Sequence, residues 1–251
     1  SNKHHDPEHV KPFLAQIVLL VFDNYKDADW FTDDYFIKLK KYIDYWYVDM
    51  DGNKNGLSEW MSAPHTRLDN QHERAGWWLD RISEGVDLNS YLVKEANAFA
   101  RICEILGKKK EAKKYTTMAE ERAVNVREML WDEEDGFFYD KQYSSGVFGG
   151  NSLTSKGLRR IKSVSGFMPM WAGVATKEQA EELVYNHLLN PQEFWTNYPI
   201  PALAKSEPGY ASKKLYSDLG CSWRANTWIP TNYMVYHGLK TYGYNEISKL
   251  V

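Results

Sequence analysis

Apolar residues recur at three- and four-residue spacing in six stretches of this 251-residue chain, at 8–25, 31–47, 88–107, 109–130, 177–189 and 226–242. That period puts side chains on one face of a helix, whereas a half-buried strand alternates every second residue. Glycines close two of the stretches, Gly107 after "ARICEIL" and Gly243 after "HGLKTY". Strand signals are few, the clearest being "GFFYD" at 136–140, and no Pro- or Ser-rich linker or short repeat divides the chain. The pattern predicts one all-α domain of paired helices. Its long, unequal loops carry the polar and aromatic clusters and would build the functional face.

Charge narrows the function classes. The formal net charge is -3, with no basic surface of the kind a nucleic-acid partner needs. The lysines at 108–110 and 113–114 are interleaved with helix formers and read as a solvated face. The longest apolar run, "IVLLVF" at 17–22, is too short to span a bilayer. Two cysteines make no disulfide framework, and Cys103 falls on an apolar helix face as a buried thiol. Cys221 fits either a core or a site wall. The opening Ser1-Asn2 reads as the remnant of a cleaved expression tag, with residues 3–251 as the domain proper, and no targeting segment fixes a compartment. Aromatics are the outlier at 15%, including ten tryptophans and seventeen tyrosines; such residues fill large cores and also line clefts that stack flat ligands.

Two local features concern carboxylates. On the helix at 88–107, Glu95 falls in the middle of the stripe formed by Leu88, Leu92, Phe99, Ile102 and Leu106. A carboxylate there must be paired, coordinated or protonated, because burying it alone is too costly; a buried ion pair, a capped helix end and a ligand pointing into a shared interior all fit. Upstream, Asp51, Asn53, Asn55 and Glu59 spell D-x-N-x-N-G-x-x-E, with Gly56 where a calcium loop turns. Alternating oxygen donors in a curled loop suit Ca2+, but the twelfth position from Asp51 is Ser62 and not a bidentate Glu. An Asx-turn loop without metal is the alternative. If metal binds, Glu95 is the expected extra ligand.

Five segments in order, "DMDGNKNGLSEW", "TRLDNQHERAGWW", "VDLNSYLVKEANAFARICEILGKKKEA", "EFWTNYPIPALAKSEPGY" and "CSWRANTWIPTNYMVYHGLKTYGY", resemble the catalytic domain of glycoside hydrolase family 63, which includes α-glucosidases and mannosylglycerate hydrolase-like proteins. The resemblance runs from about residue 40 to about residue 245 and implies an (α/α)6 barrel, the six-hairpin toroid. It implies inverting hydrolysis of an α-glycosidic bond in a di- or oligosaccharide, one carboxyl protonating the leaving oxygen and a second activating water. The acid aligns with Asp69 in "RLDNQ", where Leu68 replaces the relatives' Trp or Met. Read without the family, Asp69 is equally an N-cap. Trp223, Arg224, Trp228 and Asn232 resemble the family's substrate-facing strip, Phe194, Trp195 and Tyr198 resemble another wall of the pocket, and Trp60, next to the metal-like loop, is expected to lean toward the same cleft; indoles stack on pyranose faces and a guanidinium donates to hydroxyls or carboxylates. The family's calcium-bearing bacterial members share the pattern of Asp51, Asn53, Asn55 and Glu59, which strengthens the calcium expectation. The relatives' general base is a Glu in an E-x-Y/F-N/D-P-type motif after the Trp-Arg helix. No counterpart is found up to Val251, and Glu193, Glu207 and Asp218 do not match it. The expectation is therefore a catalytic domain incomplete on its C-terminal side, weakly active or inactive as it stands, with an N-terminal β-domain as a further partner in the full-length protein.

Three other functions fit parts of the pattern. A non-catalytic carbohydrate-binding remnant of the fold would keep the stacking aromatics without an acid/base pair. A lyase or epimerase on a helical toroid would use His and Tyr, yet His65, His72, His187 and His237 are scattered. A calcium-binding scaffold would not need the tryptophans of the later loops.

Overall fold

The computed structural model describes residues 11–68, 70–71, 74, 83–142, 154–210 and 223–251. Its centre is the pair α3 (Val86–Ile105) and α4 (Lys109–Met129). The first two turns of α3 are buried on every side, from Val86 to Val93, so this helix runs through the interior. On α4 the buried residues are Ala112, Tyr115, Ala119, Arg122 and Val126, a single stripe at three- and four-residue spacing. Gly107 makes the reversal between them: its φ of +70° is open to glycine, and the N–H of Lys108 closes the helix end on Cys103 O at 2.7 Å.

Helix α1 (Leu14–Tyr25) packs on α3 through Ala15 and Phe22. Phe13, the residue before it, has no side chain able to cap, so the helix's first N–H groups must find acceptors elsewhere. Glu95 of α3 supplies them. It accepts from the backbone N–H of Ala15, from that of Gln16 at 3.4 Å and from Gln16 Nε2 at 3.2 Å. A carboxylate facing the positive end of a helix dipole is favourable, although full burial still pushes the Glu95 carboxyl above its ordinary value.

Helix α2 (Asp33–Asp44) begins at Thr32, whose hydroxyl accepts from Tyr35 N, with Asp33 and Asp34 in the first turn; it runs on through a wider turn at Tyr45–Asp49. Helix α5 (Lys177–Glu182) opens on a reciprocal cap between Thr176 and Gln179 and likewise widens at Leu183–Leu188. Helix α6 (Ile229–Thr241) has Pro230 in its first turn and packs on the short helical turn Met168–Trp171. Gly238 permits that approach, since a Cβ there would stand 3.0 Å from Trp171 N.

The helices agree closely with the periodic segments, but the all-α expectation misses a small sheet. Strands β1 (Glu59–Trp60), β2 (Ser83–Glu84), β5 (Asp140–Gln142) and β6 (Leu158–Arg159) pair antiparallel in the order β1-β2-β5-β6. A separate hairpin joins β3 (Trp131–Asp132) and β4 (Phe137–Phe138). The "GFFYD" signal falls on β4 and the start of β5. Cys103 is buried as expected, and burial pushes its thiol up to about 12; Cys221 lies outside the described residues. Among the described residues no helix is long and apolar enough to cross a membrane.

The Glu95 cap carries a stability prediction. Glu95→Ala leaves the buried Ala15 N–H and the half-buried Gln16 N–H without their acceptor and is expected to cost about 2 kcal/mol, read as a lower urea midpoint at unchanged slope. A change within about 0.5 kcal/mol would show that the cap contributes nothing.

Candidate active site

The loops 191–210 and 223–228 line an open cavity of ≈ 830 Å³. Trp195, Tyr198, Tyr210 and Trp228 give it aromatic walls, and Thr196, Asn197, Asn226 and Lys205 supply polar groups. Short backbone ladders hold the two loops together: Ala202 N donates to Asn226 O at 3.0 Å and Leu203 N to Arg224 O at 2.9 Å. Thr227 Oγ1 donates to Tyr198 O at 2.7 Å and pins the far side. Behind the wall, Trp223 stacks on Trp228 with centroids 4.2 Å apart and planes inclined 14°. Trp195, Tyr198 and Trp228, expected on substrate-facing positions, are thus brought together. Phe194 is not with them, being completely buried against Phe137 and Phe167.

The expected acid, Asp69, lies outside the described residues, but the two residues after it are fixed. Asn70 Oδ1 accepts from Trp223 N at 3.1 Å. Gln71 Nε2 donates to Trp223 O at 2.6 Å and to Ala202 O at 3.0 Å, and Gln71 Oε1 accepts from Ser163 Oγ at 2.8 Å. Both side chains are buried, so these amide bonds are protected from water. They join residues 70–71 to the stretch of chain behind the tryptophan wall.

Below that segment lies a cluster that sequence reasoning missed. Arg74 is buried between two aspartates: Nη2 donates to Asp87 Oδ1 at 2.7 Å, while Nε and Nη2 reach Asp140 at 2.5 and 3.1 Å. Asp87 also accepts from Trp60 Nε1 at 2.8 Å and from Ser165 Oγ at 3.3 Å, and Asp140 accepts from Val86 N at 2.8 Å. Burial works against ionisation of Asp87, but the Arg74 guanidinium outweighs it and holds the carboxyl low. Burial prevails at Asp140, helped by the neighbouring Asp87 charge, and raises its carboxyl. The one available signal was Asp87 on the buried side of the α3 pattern, next to Leu88.

The family model for the mannosylglycerate hydrolase MGH1-like glycoside hydrolase domain matches residues 2–250. The chain belongs to this family. Curated relatives include an uncharacterised protein of Borreliella burgdorferi, 26% identical over 65% of this chain and 31% of that protein. A cytosolic neutral trehalase of Kluyveromyces lactis is 30% identical over 53% of the chain and 16% of its own length. A periplasmic trehalase of Escherichia coli is 26% identical over 65% and 25%. The chain therefore spans less than a third of these relatives. Among solved structures, the GH63 mannosylglycerate hydrolase of Thermus thermophilus in complex with glucose superimposes with a TM-score of 0.70 at 16% identity, covering 95% of this chain and 64% of that one. Neutral trehalase of Saccharomyces cerevisiae gives 0.60 at 19%, covering 95% and 53%. The mostly helical fold matches these six-hairpin glycosidase structures over most of the chain.

In this MGH1-like domain several expected site residues have other work. Trp60 is completely buried, edge-on to Trp46, with its N–H on Asp87; it belongs to the core and not to a cleft wall. Asn232 is a backbone clamp: Oδ1 accepts from Ile200 N at 2.7 Å and Nδ2 donates to Ile200 O at 3.0 Å, leaving its amide turned away from the cavity. Arg224 is buried and donates to Gly209 O at 2.9 Å, where it holds the loop from beneath. Glu95 is not a ligand of the Asp51–Glu59 loop, because its oxygens are taken by the first turn of α1.

The carboxylate that does face that loop is Glu84. Asn53 Nδ2 and Asn55 Nδ2 both donate to Glu84 Oε1, at 2.6 and 2.7 Å. Asp51 accepts from Asn55 N and Gly56 N, Asn53 Oδ1 from Asn55 N, and Asn55 Oδ1 from Leu57 N. The loop is thus closed by its own Asx turns. Two features still suit a hard cation. Glu84 Oε2 is buried without a hydrogen-bond partner, and Glu84 stands opposite Glu59 in the β1–β2 register, both fully buried. Among the described residues no three Asp, Glu, His or Cys side chains converge as a metal-binding group.

Glu193 secures the cavity floor. Its carboxylate accepts from Lys162 Nζ at 2.7 Å and lies 2.6 Å from His187 Nδ1, while its carbonyl accepts from Lys205 N at 2.9 Å. Burial raises its carboxyl, but the hydrogen bonds with His187 and Lys162 prevail and hold it below the ordinary 4.5. A lowered carboxyl contributes stability that is complete above the unfolded value and is lost as pH falls through the folded one. The wild type is expected to lose more stability than Glu193→Gln between about pH 6 and about pH 3, measured by urea unfolding. Parallel losses in the two proteins would exclude the ion pair as the cause.

Proposed function

We propose that this chain carries the acid-bearing part of an inverting α-glycoside hydrolase site, α-glucosidase-like, that acts on a di- or oligosaccharide. The observation that carries the reading is the stitching of Asn70 and Gln71 to Trp223 and Ala202, which ties the segment of Asp69 to the wall behind the aromatic cavity. In this reading Asp69 protonates the glycosidic oxygen and the indoles of Trp195 and Trp228 hold the pyranose by its apolar face. A second carboxylate must activate water on the opposite face of the sugar; the described lining of the cavity offers none, so slow turnover is expected.

The test is hydrolysis of α-linked glucose disaccharides, trehalose and an α-mannosyl glycerate, with the first-formed anomer followed by NMR. The expected outcome is slow release of the β-anomer and a loss of at least about 100-fold in Asp69→Asn. Retention of the α configuration at the anomeric carbon attacked by water, or full activity in the variant, excludes Asp69 as an inverting acid. The absence of a carboxylate from the described lining also favours a second reading, saccharide binding without turnover. Its mark is measurable affinity with no hydrolysis, unchanged in Asp69→Asn.

The same proposal gives the Asp51–Glu59 loop a structural Ca2+, with Asp51, Asn53, Asn55 and Glu59 as ligands and Glu84 in the place first given to Glu95. A cation would compete with Asn53 and Asn55 for the Glu84 carboxylate and relieve its apposition to Glu59. Adding Ca2+ to chelator-treated protein is expected to raise Tm by several degrees in the wild type and to leave Glu84→Gln unchanged. An unchanged wild-type Tm identifies the loop as a metal-free Asx turn.

A further inference from the structure

The sequence holds one Asn-Gly pair, Asn55-Gly56, and the fold bends it into an Asx turn. Leu57 N donates to Asn55 Oδ1 at 2.9 Å, which folds the side-chain carbonyl back over the Gly56 peptide and brings its carbon toward the Gly56 nitrogen. The N–H that closes the turn also polarises the carbonyl, as a donor placed for a developing oxyanion does. Gly56 N donates to Asp51 Oδ2 at 2.9 Å, so a carboxylate is in place to take its proton, and no Cβ hinders that nitrogen. Asn55 Nδ2 is turned the other way, onto Glu84 Oε1 at 2.7 Å. Electrophile, nucleophile and base are thus assembled in one half-buried turn.

We propose that Asn55 deamidates spontaneously in the folded chain, and that the product turns a loop closed by amide donors into one that needs a cation. The Gly56 nitrogen bonds to the Asn55 side-chain carbon; its proton passes through Asp51 to the departing amino group, which leaves as ammonia. Water then opens the cyclic imide, giving aspartate or isoaspartate at position 55. Only water is consumed. The aspartate product loses the Nδ2 donor and sets a carboxylate oxygen where the amide now meets Glu84 at 2.7 Å. Like charges so close are unfavourable unless a proton or a cation lies between them, and an added carboxylate raises the Ca2+ affinity of an oxygen-donor loop. This second half rests on the reading of the loop as a cation site; the deamidation does not.

The test is peptide mapping by mass spectrometry after the full chelator-treated chain has been incubated, folded or in urea. Asn55 is expected to deamidate at least about tenfold faster in the folded chain, because unfolding dissolves the turn. A folded rate at or below the urea rate overturns the proposal by showing that the turn protects the amide. Asp51→Asn keeps an acceptor for the Gly56 N–H but no base, and is expected to slow the folded chain at least about fivefold. An unchanged rate overturns the part given to Asp51. Asn55→Asp reproduces the aspartate product. Its Tm in chelator is expected several degrees below that of the wild type, and its gain on adding Ca2+ larger. A gain in the variant alone supports the proposal and removes Ca2+ from the wild-type loop. Equal gains overturn the cation half and leave the deamidation standing. No gain in either protein overturns both the cation half and the calcium reading beneath it.

Discussion

A single guanidinium with no access to water organises the middle of this domain. Arg74 takes one aspartate from the start of α3 and another from β5, so the segment after Asp69, the central helix and the small sheet meet at one cation. Two carboxylates sharing one positive charge do not both ionise easily, and the divergence between a lowered Asp87 and a raised Asp140 expresses that conflict. Such a cluster is poor evidence for net stability, since desolvation can exceed the Coulombic gain. It is better understood as a device for register. Removing Arg74 leaves two buried carboxylates with no counter-charge, so packings that separate it from the aspartates of α3 and β5 are strongly disfavoured.

Two chains of polar contacts lead outward from α3. One passes from Asp87 through Ser165 and Ser163 to Gln71, and so to the backbone behind the tryptophan wall. The other lies on the opposite side of α3, where Asn89 and Arg122 both hold Ser58 near the end of the Asp51–Glu59 loop. The cavity loops and the Asp51–Glu59 loop are therefore attached to the same helix by different residues. Each can change its surface without disturbing the other, which is how one scaffold accepts varied chemistry in its loops.

Helix positions were largely legible in the sequence, because 3.6-residue periodicity over a dozen residues is a strong signal. The segments at 109–130 and 226–242 correspond to α4 and α6 within a few residues. The four-stranded sheet was not legible: its strands are two or three residues long, too short for alternation to register. Side-chain direction was the harder problem. Glu95 was correctly read as buried, but its partners are backbone N–H groups, which have no letter in a sequence, and a cap at a helix end was one of the accounts left open. Trp60 and Trp228 were indistinguishable by type, and only packing shows that one is core and the other lines a cavity. The ordered segments carried the family resemblance because their order, unlike any one motif, is improbable by chance.

The attachment of α1 to α3 through main-chain donors also shapes which substitutions the chain can accept. Peptide N–H groups are common to every residue except proline, so a change of side chain at position 16 would lose the Gln16 Nε2 contact and keep both backbone bonds to Glu95. Proline reverses the usual rule. The first turn of a helix is ordinarily where it is welcome, since its missing donor would have been an orphan. Here those donors are already engaged with a buried carboxylate, and the opening turn of α1 becomes a place from which imino acids are excluded.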